Sequence, residues 1–277
     1  MDPIIAAGVA LVTGSGSVLL AKDGAGIGQE IALGFARNGC RKFFLADIVT
    51  PGLETTKSLI EQIQPEAKVV THKADVSNDS SVQEMIDTCI KEFGRLDFAC
   101  NNAGIAMGNT LSVDVPVATF DRVHNVNLKG IFLCHKYEIA AMLKQEPLAV
   151  PGVRKASRGS IVNTASMASH SAVSLIAPYT SSKHGVLTIT REDARQFGKD
   201  GIRINCVSPG YVDTPLLRGS GHGGEYVRAA EEGSPMKRLV DPAEVADGVV
   251  FLSGSAASAI TGVSLPVDGG ALLYHMP

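Results

Sequence analysis

The chain has 277 residues and a formal net charge of −3, which fits a single α/β unit and offers no general electrostatic attraction to nucleic acid or a membrane surface. With 45% hydrophobic and 19% charged residues it reads as a globular protein able to bury most of its apolar surface in one core, so small molecules are the expected partners. The five cysteines (Cys40, Cys89, Cys100, Cys134 and Cys206) are scattered, with no C-x-x-C pair; this argues against a disulfide framework or a metal site and leaves them as small core hydrophobes in a reducing, cytoplasmic setting.

The chain opens on an apolar stretch, 3–12, that lacks the basic leader and cleavage site of a signal peptide and is too short to span a bilayer. Within it, 8–12 is predicted to be a buried strand. A helix over 29–38 turns Ile31, Ala32 and Phe35 inward and ends at Gly39. A strand at 42–46, a helix at 53–64 and a strand at 68–73 follow. The helix 79–93 carries Val82, Met85, Ile86, Cys89, Ile90 and Phe93 at i, i+3, i+4, i+7 spacing and stops at Gly94. Next come a strand at 96–100, a long helix over 120–143, a strand at 160–164, a helix at 179–197 and a strand at 202–207. A helix at 242–252 opens with proline in its first turn, and a strand at 264–267 closes the set.

Strands separated by helices need crossover connections, so the expected fold class is α/β: a doubly wound, Rossmann-type parallel sheet of about seven strands with helices on both faces, in a single domain spanning the chain. The stretch 146–159 reads as a surface excursion, and 215–235 as a loop or short-helix lid over a substrate. Ligands of such sheets bind beyond the carboxyl ends of the strands, which directs attention to the residues just after each one.

After the first strand, Thr13 and Gly14 lead into a glycine-rich segment that ends in Gly26-Ile27-Gly28. Glycines there let backbone approach a pyrophosphate whose charge the helix N-terminus stabilises, although they also serve as plain turns. Asp47 ends the second strand about 20 residues on, where a carboxylate accepts hydrogen bonds from a ribose diol and repels a 2′-phosphate. NAD is therefore favoured, with NADP possible; a solvated turn aspartate is the alternative. Asp75 follows the third strand and contacts an adenine edge or caps the next helix. Asn101-Asn102-Ala103-Gly104 ends the fourth strand, where small residues allow close approach and Asn102 can tie neighbouring strand ends together; a plain turn competes.

Tyr179 and Lys183 stand at i, i+4, on one face of a helix. A free tyrosine titrates near pH 10, and a nearby ammonium and an oxidised nicotinamide both favour the phenolate. The pair can then exchange a proton with an alcohol or carbonyl oxygen while hydride moves to or from carbon. Ser166, just past a strand, donates to that oxygen or caps a helix. Asn127 sits mid-helix, where asparagine is unfavourable; it marks a distortion that holds a water near Lys183, or it is a plain surface residue. His170 is near enough in sequence to face Ser166, or is a loop histidine without function. Val173, Leu216 and Leu217 around the expected cleft suggest a fairly hydrophobic substrate.

Taken together, these residues resemble the short-chain dehydrogenase/reductase family over essentially the whole chain. The family's T-G-x-x-x-G-x-G, N-N-A-G, mid-helix asparagine, serine, Y-x-x-x-K and P-G signatures are matched in order by Thr13-Gly14 with Gly26-Ile27-Gly28, by Asn101 to Gly104, by Asn127, by Ser166, by Tyr179 with Lys183, and by Pro209-Gly210. The resemblance implies an NAD(P)-dependent oxidoreductase that interconverts a secondary alcohol and a ketone on a small metabolite, with Asn127, Ser166, Tyr179 and Lys183 as its catalytic tetrad. It implies cofactor contacts from Gly14, Gly26, Ile27 and Gly28, from Asp47 as the NAD-selecting residue, from Asp75 and Val76 at the adenine, and from Asn102, Ala103 and Gly104. Tyr179 and Lys183 also touch the cofactor, with Pro209, Gly210, Val212 and Thr214 near the nicotinamide. A homo-oligomer, tetramer or dimer, joined through the helices bearing Asn127 and Tyr179 is implied as well. One departure is an insert near 17–24, between Gly14 and Gly26. It bulges outward, since a longer loop adds only modest closure entropy, fills the pyrophosphate site, or is a product of how the coding sequence was spliced; Lys22 within it either reaches a phosphate or stays solvated. The insert leaves open an alternative, a non-redox binding or catalytic protein on the same fold with an impaired cofactor site.

Overall fold

A computed structural model describes residues 2–16, 25–151, 153, 155–218 and 223–275, so the 17–24 insert with Lys22, and 219–222 of the lid, lie outside the described residues. The strands are β1 (Ala10–Thr13), β2 (Lys42–Asp47), β3 (Lys68–Lys73), β4 (Phe98–Asn101), β5 (Gly159–Thr164), β6 (Ile202–Pro209) and β7 (Ser264–Val267). All pair in parallel, in the order β3-β2-β1-β4-β5-β6-β7. The expected α/β sheet is therefore present. The order reverses direction between β1 and β4, and at such a switch point the two outgoing connections diverge and leave a crevice.

The helices are α1 (Pro3–Ala7), α2 (Ile27–Arg37), α3 (Thr50–Ile63), α4 (Asp79–Phe93), α5 (Val117–His124), α6 (Gly130–Met142), α7 (Ala177–Phe197), α8 (Pro215–Arg218), α9 (Gly223–Glu232), α10 (Pro242–Ser253) and α11 (Leu272–His275). Two core layers follow from the period-2 alternation of the strands. Ala10 and Val12 of β1 join Ile31 and Phe35 of α2 and Val245 and Val249 of α10 on one face. Val9 and Leu11 join Met85 and Cys89 of α4 and Leu133 and Met142 of α6 on the other.

Helix α4 matches its predicted span, opened by the Asn78 side chain on the Ser81 amide and closed by Gly94 at φ 75°. Several bounds shift by one to three residues, and two differences have a physical cause. The strand predicted from residue 8 begins at Ala10, preceded by α1, a single turn capped by Asp2 and too short for periodicity to reveal. The long helix expected over 120–143 is two helices, α5 and α6, separated by a π-helical turn, Asn125–Lys129.

At the amino end of the sheet, Asp97 is buried and accepts the Val9 amide at 2.9 Å, while Arg95 chelates its carboxylate at 2.7–3.0 Å. Removing the carboxylate strands a buried N–H and leaves the guanidinium without its partner. Asp97→Ala is expected to lower the unfolding free energy by about 3 kcal/mol, read by urea denaturation.

Candidate active site

Three neighbouring strand ends meet in one set of side-chain hydrogen bonds. Thr13, at the end of β1, accepts from the amides of Asn102 (3.1 Å) and Ala103 (3.2 Å) through Oγ1. The Asn102 side chain donates to the Gly14 carbonyl at 3.2 Å and accepts from Thr164 Oγ1, on β5, at 3.2 Å. Gly14 has φ +66°, and a Cβ on it would lie 2.8 Å from the Ala103 Cα, so glycine is required there on both counts. A side chain on Gly28 would run into the Gly14 carbonyl and the Asn102 amide. Gly14, Gly28, Asn102 and Ala103 are thus brought together at the switch point.

Beside them, Gly26 precedes α2 and gives no side-chain cap, and among the described residues nothing stands within 4 Å of where its Cβ would be. The first amides of the helix, Ile27 and Gly28 among them, have no intrahelical acceptor. Asp47 accepts the Gly16 amide on Oδ2 and the Val49 amide on Oδ1, both at 2.9 Å. Each carboxylate oxygen keeps a further lone pair, so the fixed anion can still receive a diol. Asp75 accepts the Ser77 amide (2.9 Å) and hydroxyl (2.7 Å); it does not cap α4, because Asn78 does. Val76 is buried, and a Cβ on Gly130 would stand 3.0 Å from it, so it packs against the start of α6.

On α7, Lys183 is 5% exposed and its Nζ donates to the Thr164 carbonyl at 2.7 Å, 5.7 Å from the Tyr179 ring centroid. Burial disfavours the ammonium and pulls its pKa down to about 8. Asn127, inside the π turn, faces the backbone of Ile105 squarely: its Nδ2 donates to that carbonyl (2.9 Å) and its Oδ1 accepts that amide (2.8 Å). The same Nδ2 reaches Ser182 Oγ at 3.3 Å, and Ser182 donates to the Tyr179 carbonyl at 2.7 Å. Gly104 lies between them, since a Cβ there would be 3.3 Å from Asn127 Oδ1 and 3.7 Å from Lys183 Nζ. Ser166 caps the short turn Met167–Ser169 by accepting the Ala168 amide at 3.1 Å. A hydroxyl that accepts keeps its own proton to donate, so the capping and donating readings of Ser166 are compatible. Ser169 accepts the Ser166 amide (3.2 Å) and donates to the Lys183 carbonyl (2.8 Å).

Ser169 and Ser182 were not singled out in the sequence. Both are buried, and each links two of the four expected catalytic residues. Ser182 alone left a trace, since it lies between Tyr179 and Lys183 on the same helix. His170, which the sequence left either facing Ser166 or as a loop histidine, bonds elsewhere: its Nε2 meets Ser208 Oγ (3.2 Å) and Ser264 Oγ (2.9 Å) on β6 and β7.

Pro209 ends β6, and Gly210, whose Cβ would stand 2.8 Å from Asp268 Cα, donates to the Val267 carbonyl at 3.1 Å. Val212 bridges Val240, and Thr214 Oγ1 accepts the Leu217 amide at 3.3 Å where α8 begins. Across the crevice mouth the Thr110 amide donates to the Leu175 carbonyl at 2.8 Å, joining the loop after β4 to the loop that carries Val173. The side chain of Leu216 lies outside the described residues. Among the described residues, no cluster of three or more His, Cys, Asp or Glu is placed to hold a metal ion, and no helix is long and apolar enough to cross a membrane.

A family model described as enoyl-(acyl carrier protein) reductase matches residues 21–272. The short-chain dehydrogenase fogB of Aspergillus ruber is 34% identical over 95% of this chain and 98% of its own length. Levodione reductase of Leifsonia aquatica is 34% identical, covering 91% and 92%, and cyclohexanol dehydrogenase of an Acinetobacter species is 34% identical, covering 94% and 93%. A crystal structure of levodione reductase superposes with a TM-score of 0.85 at 32% identity over 96% of this chain and 98% of that one. One of 3-ketoacyl-(acyl-carrier-protein) reductase from Brucella melitensis complexed with NADH gives 0.82 at 28% identity over 97% and 100%.

The depressed Lys183 pKa has a consequence for stability. Between about 8 and the ordinary 10.5 of a lysine, the folded chain binds fewer protons at this site than the unfolded chain, so folding gains from rising pH across that window. The thermal stability of the unsubstituted chain relative to Lys183→Met is expected to be flat below the window and to rise through it. A flat difference throughout contradicts the assignment.

Proposed function

The chain belongs to the short-chain dehydrogenase/reductase family, and on that premise we propose that it is an NAD(P)-dependent oxidoreductase, with NAD favoured, that interconverts a secondary alcohol and a ketone on a small, fairly hydrophobic metabolite. The observation that carries this reading is the buried turn of α7, where Lys183 lies beneath the Tyr179 ring and Ser182 and Ser169 connect the pair to Asn127 and Ser166. The names of the levodione reductase and the cyclohexanol dehydrogenase support alcohol–ketone chemistry.

A bound nicotinamide dinucleotide supplies or accepts the hydride. Tyr179 gives its phenolic proton to the carbonyl oxygen in reduction and takes one from the alcohol in oxidation. The Lys183 ammonium, held by the Thr164 carbonyl, favours the phenolate that this exchange passes through. Ser166 donates a hydrogen bond from its hydroxyl to the oxygen on which charge develops and keeps its proton. Asn127, at the π turn, orients a water near Lys183 that returns the proton to solvent.

Gly14, Gly26, Ile27 and Gly28 would hold the pyrophosphate, whose charge suits the uncapped start of α2. Asp47 would take the ribose diol; Asp75 and Val76 would border the adenine. Asn102, Ala103 and Gly104 would line the cleft floor, with Tyr179 and Lys183 at the nicotinamide ribose. Pro209, Gly210, Val212 and Thr214 would flank the carboxamide. The chain would form a homo-oligomer, dimer or tetramer, through the helices bearing Asn127 and Tyr179, and exposed Val117 and Phe120 on α5 and Phe132 on α6 support the first of these. Five free, buried cysteines suit a cytoplasmic, reducing setting, and 215–235 would act as the substrate lid. The rival reading, a non-redox protein on this fold, rests on the insert outside the described residues, and an NADH titration that gave no binding would favour it.

Tyr179→Phe keeps the ring and removes the proton. With NAD and cyclohexanol as probes it is expected to lower turnover by about a thousandfold while NADH affinity, read by fluorescence, stays within about twofold. Turnover near that of the unsubstituted chain would refute the role. Asp47→Ala removes the charge that opposes a 2′-phosphate and is expected to narrow the NAD over NADP preference in kcat/KM by about tenfold or more.

A further inference from the structure

The inward face of α6 carries an acid that the proposed chemistry does not use. Glu138 is 0% exposed, and its Oε2 accepts from Nδ2 of Asn101, the last residue of β4, at 2.9 Å. The same Nδ2 donates to Asn163 Oδ1 on β5 at 3.2 Å. Asn163 in turn donates to Thr190 Oγ1 (2.9 Å) and meets His135 Nε2 (2.9 Å), whose Nδ1 lies 2.6 Å from Asp193 Oδ2 on α7. In this orientation the Asn101 amide nitrogen has an acceptor for each of its two protons, Glu138 Oε2 and Asn163 Oδ1. Two buried oxygens are left without a partner, Glu138 Oε1 and Asn101 Oδ1, one on each member of the bonded pair. A carboxylate has no donor to offer either of them; a carboxylic acid has one, and one is enough.

We propose that Glu138 stands in the fold as a neutral carboxylic acid, its proton on Oε1 shared with Oδ1 of Asn101, and that this acid–amide pair is a positioning device for the turn carrying Asn102, Ala103 and Gly104. The surroundings favour the neutral form. The titratable groups about Glu138 are Cys134 and His135 on its own helix, Cys89 on α4, Cys100 on β4 and, beyond His135, Asp193 on α7. The three thiols are buried, with their pKa values pushed up, and stay neutral. Among the described residues the charge acting on Glu138 to favour ionisation is that of His135, reached through Asn163; burial outweighs it and lifts the acid from 4.5 to about 7. The folded chain therefore keeps a proton that the unfolded chain loses between those values. The stability this contributes is complete below 4.5 and is lost as pH rises through about 7. Past that point Asn101 Oδ1 faces an anion, and the strand end loosens directly beside Asn102.

The positioning step rests on the cofactor reading; the location of the proton does not. In infrared difference spectra at pH 6, the carbonyl stretch of a protonated carboxyl is expected in the unsubstituted chain and absent from Glu138→Gln. Glutamine keeps both bonds to Asn101 at any pH. If the competent turn needs the protonated acid, only about one tenth of the unsubstituted chain is competent at pH 8, so its NADH Kd relative to Glu138→Gln is expected to rise from near one at pH 6 toward tenfold. Should Glu138→Gln fail to fold, loss of the same band from the unsubstituted chain between pH 6 and 9 reads the proton. Absence of the band, or a Kd ratio that stays flat, overturns the proposal. If neither protein binds NADH, it is the dehydrogenase reading that falls, and the infrared band still decides whether Glu138 is protonated.

Discussion

The side-chain amide of Asn102 joins three parallel strands at the place where the sheet's twist would otherwise let their ends part. Its nitrogen is tied to β1 at Gly14 and its oxygen to β5 at Thr164, while Thr13 holds the amides of Asn102 and Ala103 from below. Parallel strands rotate relative to one another by roughly 20° per pair, and backbone pairing stops before the turns begin. Side-chain bonds are then the means of fixing the turns that form the crevice. The glycines follow from the same constraint: Gly14 and Gly28 are small because Ala103, Asn102 and the Gly14 carbonyl already occupy the space a side chain would need.

From this clasp the rest of the site is reached by short steps. Thr164 gives its hydroxyl to Asn102 and its carbonyl to Lys183, so the strand end that holds Asn102 also anchors Lys183 on α7. Ser169 carries the connection from Lys183 to Ser166, and Ser182 from Tyr179 to Asn127. None of these linking groups needs any chemistry beyond one donor and one acceptor. They convert side chains from four different elements into one rigid arrangement, which is what proton transfer over hydrogen-bond distances requires. The π turn belongs to this set. It interrupts what would be one helix from Val117 to Met142 and lets Asn127 bind both backbone groups of Ile105.

Burial shifts two ionisable groups of this region in opposite chemical directions and toward the same outcome, a neutral side chain. Lys183 holds its proton less tightly and Glu138 more tightly than in water, because the low-dielectric interior disfavours charge of either sign. Lys183 keeps a direct acceptor in the Thr164 carbonyl and lies beside the Tyr179 ring. Glu138 is buried on the inward face of α6, bonded to Asn101 at the end of β4. The same physical cause thus acts on a group at the crevice and on one bonded to a strand end.

Much of this was legible in the residues. The alternation of strands and helices, the inward faces of α2 and α4, and the motif residues at the strand ends all follow from local periodicity and local chemistry, which a sequence records directly. The position of Asn127 within an unfavourable helical context likewise marked the interruption between α5 and α6, though not its form. Other features were decided only in three dimensions. Asp75 yields the α4 cap to Asn78, His170 turns to β6 and β7, and Ser169 and Ser182 connect catalytic candidates that lie far apart in the chain. Sequence alone determined which residues face inward and which chemical groups arrive at the crevice. Tertiary structure decided which buried polar atom meets which, and that Glu138 meets Asn101 with one acceptor too many on each side, because hydrogen-bond partners are set by strand order and helix docking and leave no periodic signature along the chain.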